Sequence, residues 1–385
     1  MSLAVAPPVI AAVKTKAARF YAPEIDVLRF FAFFGVFVFH AAPRTIEFYQ
    51  TAGLPAWLGR LLISTFGAGA YGVDLFFALS AYLITTLLWR ERSATGALDM
   101  RSFYLRRILR IWPLYLSFVA FAAMAAAVLP GQRLPLRYVA GYALLAGNWI
   151  YVFWGLPASF AIPLWTVSIE EQFYLAWPLA LRRSSIRALA ALAVGLLLLA
   201  NIVRVVLAIS ATPAQVMEYS TLTRLDAIAL GILIGLYRDR IPGLGRWRRI
   251  ALLVSGVAAW ITTYAFSAGT RAPAVSTWQS ALGHLLTALA SAAILLAVMR
   301  SQQPFLRNRL LVYLGKISYG LYVVHEFAHY CAMRLVPAAA PFRVLVQSVL
   351  SLALTIVLAA ASYRWLESPF LRLKERFAHV QSRPV

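Results

Sequence analysis

The sequence predicts an all-α fold, a polytopic transmembrane helical bundle of about ten spanning helices plus one re-entrant or outer-face segment. Three observations predict it. The chain is 62% hydrophobic and only 13% charged, far too apolar for a water-solvated chain of 385 residues. Apolar runs of spanning length, roughly 20 residues each, recur from Ile25 to Tyr363. Between them the basic residues fall in short clusters, as they do in loops on one side of a membrane.

In chain order the runs are Ile25–Ala42, Gly69–Trp89, Ile108–Leu129, Tyr138–Phe153, Leu164–Leu181, Ala188–Ile209, Leu222–Tyr237, Ile250–Phe266, Ala281–Met299, Ile317–Val336 and Val344–Tyr363. Eleven spans would put the cluster Arg182, Arg183, Arg187 outside, against the rule that Lys and Arg collect on the cytoplasmic side. Treating Tyr138–Phe153, interrupted by Gly141, Gly147 and Asn148, as re-entrant or lying at the outer face restores alternation with both termini cytoplasmic. The domain reading is a cytoplasmic N-terminal segment, residues 1–24, a single transmembrane domain, 25–366, and a cytoplasmic C-terminal tail, 367–385. The apolar stretch Leu3–Val13 precedes Lys14, Lys16 and Arg19, the reverse of a cleaved signal peptide, so it is expected to remain on the chain.

The formal net charge of +22 does not point to nucleic acid, because the basic clusters sit where they set topology and meet anionic headgroups. The single cysteine, Cys331, excludes an internal disulfide and a cysteine-based metal cluster.

An ionisable side chain in a spanning helix costs about 2.5 kcal/mol or more on insertion scales, so each one is a functional candidate. The first run carries Asp26 and Arg29 near its inner end and His40 near its outer end. Arg29 and His40 are roughly 16 Å apart along nearly one helix face. Glu170 and Glu171 must diverge by about 100° around their helix, so one is expected to orient or charge a histidine while the other meets a cation such as Arg224. Asp74, Arg224 with Asp226, and the trio His325, Glu326 and His329 complete the buried set. Gly231 and Gly235 have the small-xxx-small spacing of helix packing. Arg106 and Arg110, one turn apart beside what reads as a helix start, suit an anionic phosphate. No metal site is expected: His325 and His329 are one turn apart but lack a clear third ligand.

Taken in order, these segments resemble the integral-membrane acyltransferase family 3. The resemblance rests on Arg29 and His40 at an Arg-x10-His spacing, Gly72–Thr85, Phe103–Pro113, Trp165–Tyr174, Thr223–Asp226, Ile317–His325 and Arg364–Phe370. Two positions depart from it, Ala81 where glycine is usual and Ser368 where a basic residue is common. The resemblance implies an O-acyltransferase in the bacterial cytoplasmic (inner) membrane, using cytoplasmic acyl-CoA, chiefly acetyl-CoA, and no metal. The acceptor would be a hydroxyl of a carbohydrate, glycolipid or small molecule. Arg106, Arg107 and Arg110 would hold the CoA phosphates, with the pantetheine arm passing Arg29. His40 would act as general base or acyl carrier, oriented by Glu171 or Glu170. No fused esterase-like domain is expected. The competing class is a proton-coupled transporter or flippase, which would move its cargo without consuming acyl-CoA.

Overall fold

Residues 21–268, 277–339 and 342–377 are described by the computed structural model, so the sequence readings for residues 1–20 and 378–385 lie outside them. Seventeen α-helices and no strand occur among the described residues. They are α1 (Pro23–Ala41), α2 (Ile46–Thr51), α3 (Ala56–Gly67), α4 (Gly72–Thr95), α5 (Met100–Val128), α6 (Leu136–Ala143), α7 (Gly147–Trp154), α8 (Leu164–Arg183) and α9 (Ile186–Ile209). After these come α10 (Ala214–Tyr219), α11 (Leu225–Tyr237), α12 (Arg246–Ala268), α13 (Thr277–Val298), α14 (Arg309–Lys316), α15 (Ser318–Leu335), α16 (Arg343–Ser362) and α17 (Ser368–Glu375).

Among the described residues, six segments are long and apolar enough to cross a membrane: Ala56–Thr95, Met100–Val128, Ile186–Ile209, Arg246–Phe266, Trp278–Val298 and Arg343–Glu375. The other four spans expected from sequence correspond to α1, α8, α11 and α15. Of these, α1, α8 and α15 carry the densest sets of ionisable residues, while α11 has only 13 residues. The run Tyr138–Phe153 is not one helix. It divides into the eight-residue helices α6 and α7, each roughly 12 Å long, with Leu145 between them at φ +57.

Local sequence places the boundaries. The Asp99 carboxylate accepts from the Ser102 N–H at 3.0 Å and caps α5. Ser185 caps α9 in the same way. α4 stops at Gly96, whose φ of +78 few other residues adopt without strain.

Layering follows polarity. α9, α12 and α16 present Leu198, Ile202, Val254, Leu345 and Val357 outward, as helices bathed in hydrocarbon do, because lipid is as apolar as these side chains. α4 runs through the middle and packs on α11, α1, α13 and α8. At the α4–α11 crossing a Cβ on Gly231 would lie 2.3 Å from the Ala78 carbonyl oxygen. The small-xxx-small pair Gly231 and Gly235 is therefore a close-approach surface, as its spacing predicts. α1, α4, α5, α8 and α15 surround a polar interior that holds most of the candidate residues.

Candidate active site

At one end of that interior, α1 and α15 bring His40 and Glu326 together, with Nδ1 of His40 2.7 Å from a carboxylate oxygen. A carboxylate facing Nδ1 requires that nitrogen to carry the proton, leaving Nε2 with its lone pair in the neutral ring. His325 is buried beside them, its ring centroid 5.3 Å from that of His40. Its Nδ1 donates to the Tyr322 carbonyl at 2.6 Å. Its Nε2 is buried without a hydrogen bond, 3.7 Å from Glu326. Two imidazoles thus offer acceptor nitrogens around one carboxylate. Ligand atoms of His40, His325 and Glu326 all lie within 4.8 Å of one another, so this trio is a donor set that could hold a metal ion.

Further along α1, Arg29 donates from Nε to Ser318 Oγ at 3.2 Å. It shares two adjoining cavities with Val167, Glu170 and Tyr319. One cavity extends toward Phe76, Thr166 and Tyr322, and thus toward the carbonyl that holds His325. The other opens to Glu91, Phe103, Arg106, Arg107, Arg110 and Lys374. The interior therefore has an arginine end and a histidine end, with Arg29 at the waist. His40, His325 and Glu326 do not line either cavity.

The arginines project from inside α5 rather than from its start. The helix begins at Met100, so guanidinium groups, not the free N–H groups of its first turn, line the cavity. Arg106 pairs with Glu91 at 2.8 Å and donates to the Phe377 carbonyl at 2.6 Å. Arg107 lies over the Phe103 and Tyr174 rings.

Glu170 and Glu171 diverge as their adjacency requires, but neither reaches His40 or Arg224. Glu170 accepts from Ser80 at 2.7 Å and from Tyr174 at 3.3 Å, at the level of Arg29. Glu171 turns to α5 and accepts from Trp112 Nε1 at 3.1 Å. The carboxylate that meets His40 is instead that of Glu326. Glu170 sits at the waist because Thr166, a turn before it, is already level with Tyr322, which it meets at 3.1 Å.

Asp74, Arg224 and Asp226 form a separate buried cluster. Arg224 meets Asp74 at 3.0 Å, the Nδ1 of His284 at 3.0 Å, and Glu218. Asp226 pairs with Arg204 at 2.7 Å. The Trp165 ring lies under the Arg224 guanidinium at 5.5 Å. Asp26 is buried and lines the arginine-end cavity beside Arg29.

Sequence reasoning placed Glu326 in the polar set without a role, and passed over Glu91, Tyr319, Tyr322 and Lys374. Glu326 could have been found from its position next to His325, since adjacent helical residues point about 100° apart and can serve one site from two directions. Lys374 had no such signal. It follows the last apolar run, and the segment read as a tail from 367 contains a folded helix, α17, packed on α5 with Leu371 and Lys374 buried.

A family model described as an acyltransferase domain matches residues 23–364. The peptidoglycan O-acetyltransferase OatA of Listeria monocytogenes is 26% identical over 384 residues, covering 92% of this chain and 56% of the relative. The putative peptidoglycan O-acetyltransferase YrhL of Bacillus subtilis is 29% identical over 385 residues, covering 91% of this chain and 55% of that protein. A putative O-acetyltransferase of Staphylococcus aureus is 24% identical, with 91% and 57% covered. The chain thus spans about half the length of the curated relatives it matches. No solved structure matches it. Since the matched region takes in α1, α4, α5, α8 and α15, the helices that build both ends of the polar interior, this integral membrane protein belongs to the acyltransferase-3 family.

Proposed function

We propose that the chain is a membrane-bound O-acyltransferase that moves an acyl group, acetyl by analogy with its relatives, from cytoplasmic acyl-CoA to a carbohydrate or glycolipid hydroxyl. The observation that carries the proposal is a His40–Glu326 pair at the end of α1 together with adjoining cavities that meet at Arg29 on the same helix and open to Arg106, Arg107 and Arg110. A donor with a polyphosphate head and a long thin arm suits such an arrangement. In this reading the head rests at the arginine end, the arm passes Arg29, and the thioester reaches His40. Both chain termini lie on the cytoplasmic side, with about ten helices crossing the membrane.

Glu326 accepts the Nδ1–H of His40 and stabilises the imidazolium that forms during transfer. The Nε2 lone pair takes the proton of the acceptor hydroxyl. The hydroxyl oxygen attacks the thioester carbonyl carbon, a C–O bond forms, the C–S bond breaks, and the proton on Nε2 passes to the departing CoA thiolate. The same lone pair would serve an acyl-histidine route, which differs only in placing the acyl group on Nε2 first.

The test is acyl transfer by the full chain in liposomes, with labelled acetyl-CoA on one side and a panel of carbohydrate acceptors on the other. Label on an acceptor, lost in His40→Ala at equal membrane insertion, supports the reading. Full activity of His40→Ala overturns the assignment of the base. Intact-protein mass after one turnover without acceptor separates direct transfer from an acyl-histidine.

A further inference from the structure

We propose that Lys374, on the terminal helix α17, is a phosphate-binding residue of the donor site, and that α17 forms a wall of that site. This rests on the donor reading above and extends it to a segment that hydropathy assigns to a tail.

Lys374 is only 8% exposed and lines the same cavity as Arg106, Arg107 and Arg110. Its ammonium makes no hydrogen bond or ion pair among the described residues. A buried lysine in that state is unfavourable unless something else supplies the counter-charge. The neighbours make the deficit larger. Three acids line the cavity against the five cations Arg29, Arg106, Arg107, Arg110 and Lys374: Glu91 is taken by Arg106, Glu170 is held at the waist by Ser80 and Tyr174, and Asp26 lies beside Arg29. Arg107 keeps a buried Nε without a partner. Several cations face a common space with too few anions, the situation that a ligand bearing two or more phosphates resolves by charge-assisted hydrogen bonds.

α17 is held in register with the arginines. The Phe377 carbonyl, just past its C-terminus, accepts from Arg106 at 2.6 Å. Ser368 Oγ donates back to the Tyr363 carbonyl at 2.7 Å across the π-helical residues Tyr363–Glu367 that join α16 to α17. With Leu371 buried one turn before Lys374, the apolar face of α17 seats on α5 while the lysine stem carries its charge into the cavity.

The experiment is binding of CoA and of pantetheine, which lacks the phosphates and the nucleotide, to the full chain in lipid nanodiscs. Wild type is compared with Lys374→Met, Lys374→Gln and Lys374→Arg. The expected result is a Kd for CoA raised about tenfold in the Met and Gln variants, restored to within about twofold in the Arg variant, and no change for pantetheine. Unchanged CoA affinity in both neutral variants overturns the inference and leaves the donor reading standing. Equal loss for CoA and pantetheine also overturns it, because that is the signature of a distorted bundle. Failure of the wild type to bind CoA overturns the donor reading and this inference together. The glutamine variant, which keeps a polar end, answers the question should the methionine variant not insert.

Discussion

Glu326 reaches from α15 to the imidazole of His40 at the end of α1, its carboxylate oxygen 2.7 Å from Nδ1. The two residues come from opposite ends of the chain, and the contact exists because α1 packs directly against α15. It sets the tautomer of His40 and so decides which nitrogen can act. Glu326→Gln preserves the shape but removes the charge that stabilises an imidazolium. The expected outcome is a fall in kcat of about 10- to 1000-fold with little change in donor KM, against about 1000-fold or more for His40→Ala. Steady-state kinetics on both variants, at matched insertion, check it.

Glu171 is expected to behave differently from its neighbour. Its carboxylate is buried against Trp112 on α5, away from the two cavities. Trp112→Phe removes the donor and leaves a buried acceptor unsatisfied, at a cost of about 1–3 kcal/mol. Thermal unfolding in detergent should show the loss, while the KM for the donor stays at its wild-type value.

The Arg204–Asp226 pair, each partner 1% exposed, joins α9 to α11. Arg204→Met strands a buried carboxylate and is expected to cost about 3–5 kcal/mol, whereas Arg204→Met with Asp226→Leu recovers much of that. Denaturation of the single and double variants decides the point. A double variant as unstable as the single would mean that the pair does more than neutralise itself.

Gly231 is a position where size alone matters. A Cβ there would meet the Ala78 backbone oxygen at 2.3 Å, and backbone cannot step aside as a side chain does. Gly231→Ala is expected to lower stability by about 1–3 kcal/mol, and Gly231→Val to prevent accumulation of the folded protein. Folded yield by size-exclusion chromatography reads both.

The donor atoms of His40, His325 and Glu326 lie close enough to chelate a cation. Added Zn²⁺ is therefore expected to inhibit by displacing the Nδ1 proton of His40 and separating that ring from Glu326, and EDTA to restore activity. Activity insensitive to Zn²⁺ would mean that the trio cannot close around an ion.

Composition and the placement of ionisable residues were enough to give the lipid environment and to mark the candidate residues. A chain this apolar can satisfy its backbone in lipid only as helices or a closed barrel, and long apolar runs with helical spacing leave the helices. The cost of burying charge marked His40, Arg29, Glu170 and Asp74 before any neighbour was known, and the divergence of Glu170 from Glu171 followed from helix geometry alone. Tertiary structure decided the partners. Depth along α8 placed Glu170 at the waist with Arg29, because register between packed helices depends on side-chain interlock that no single helix encodes. The same packing gave His40 its carboxylate from α15 and gathered Asp74, Arg224 and Asp226 into a buried cluster of their own. It also folded Lys374 into the arginine cavity. Hydropathy could not see this, because a short helix seated on protein needs only one apolar face, whereas a spanning helix needs a continuous apolar length.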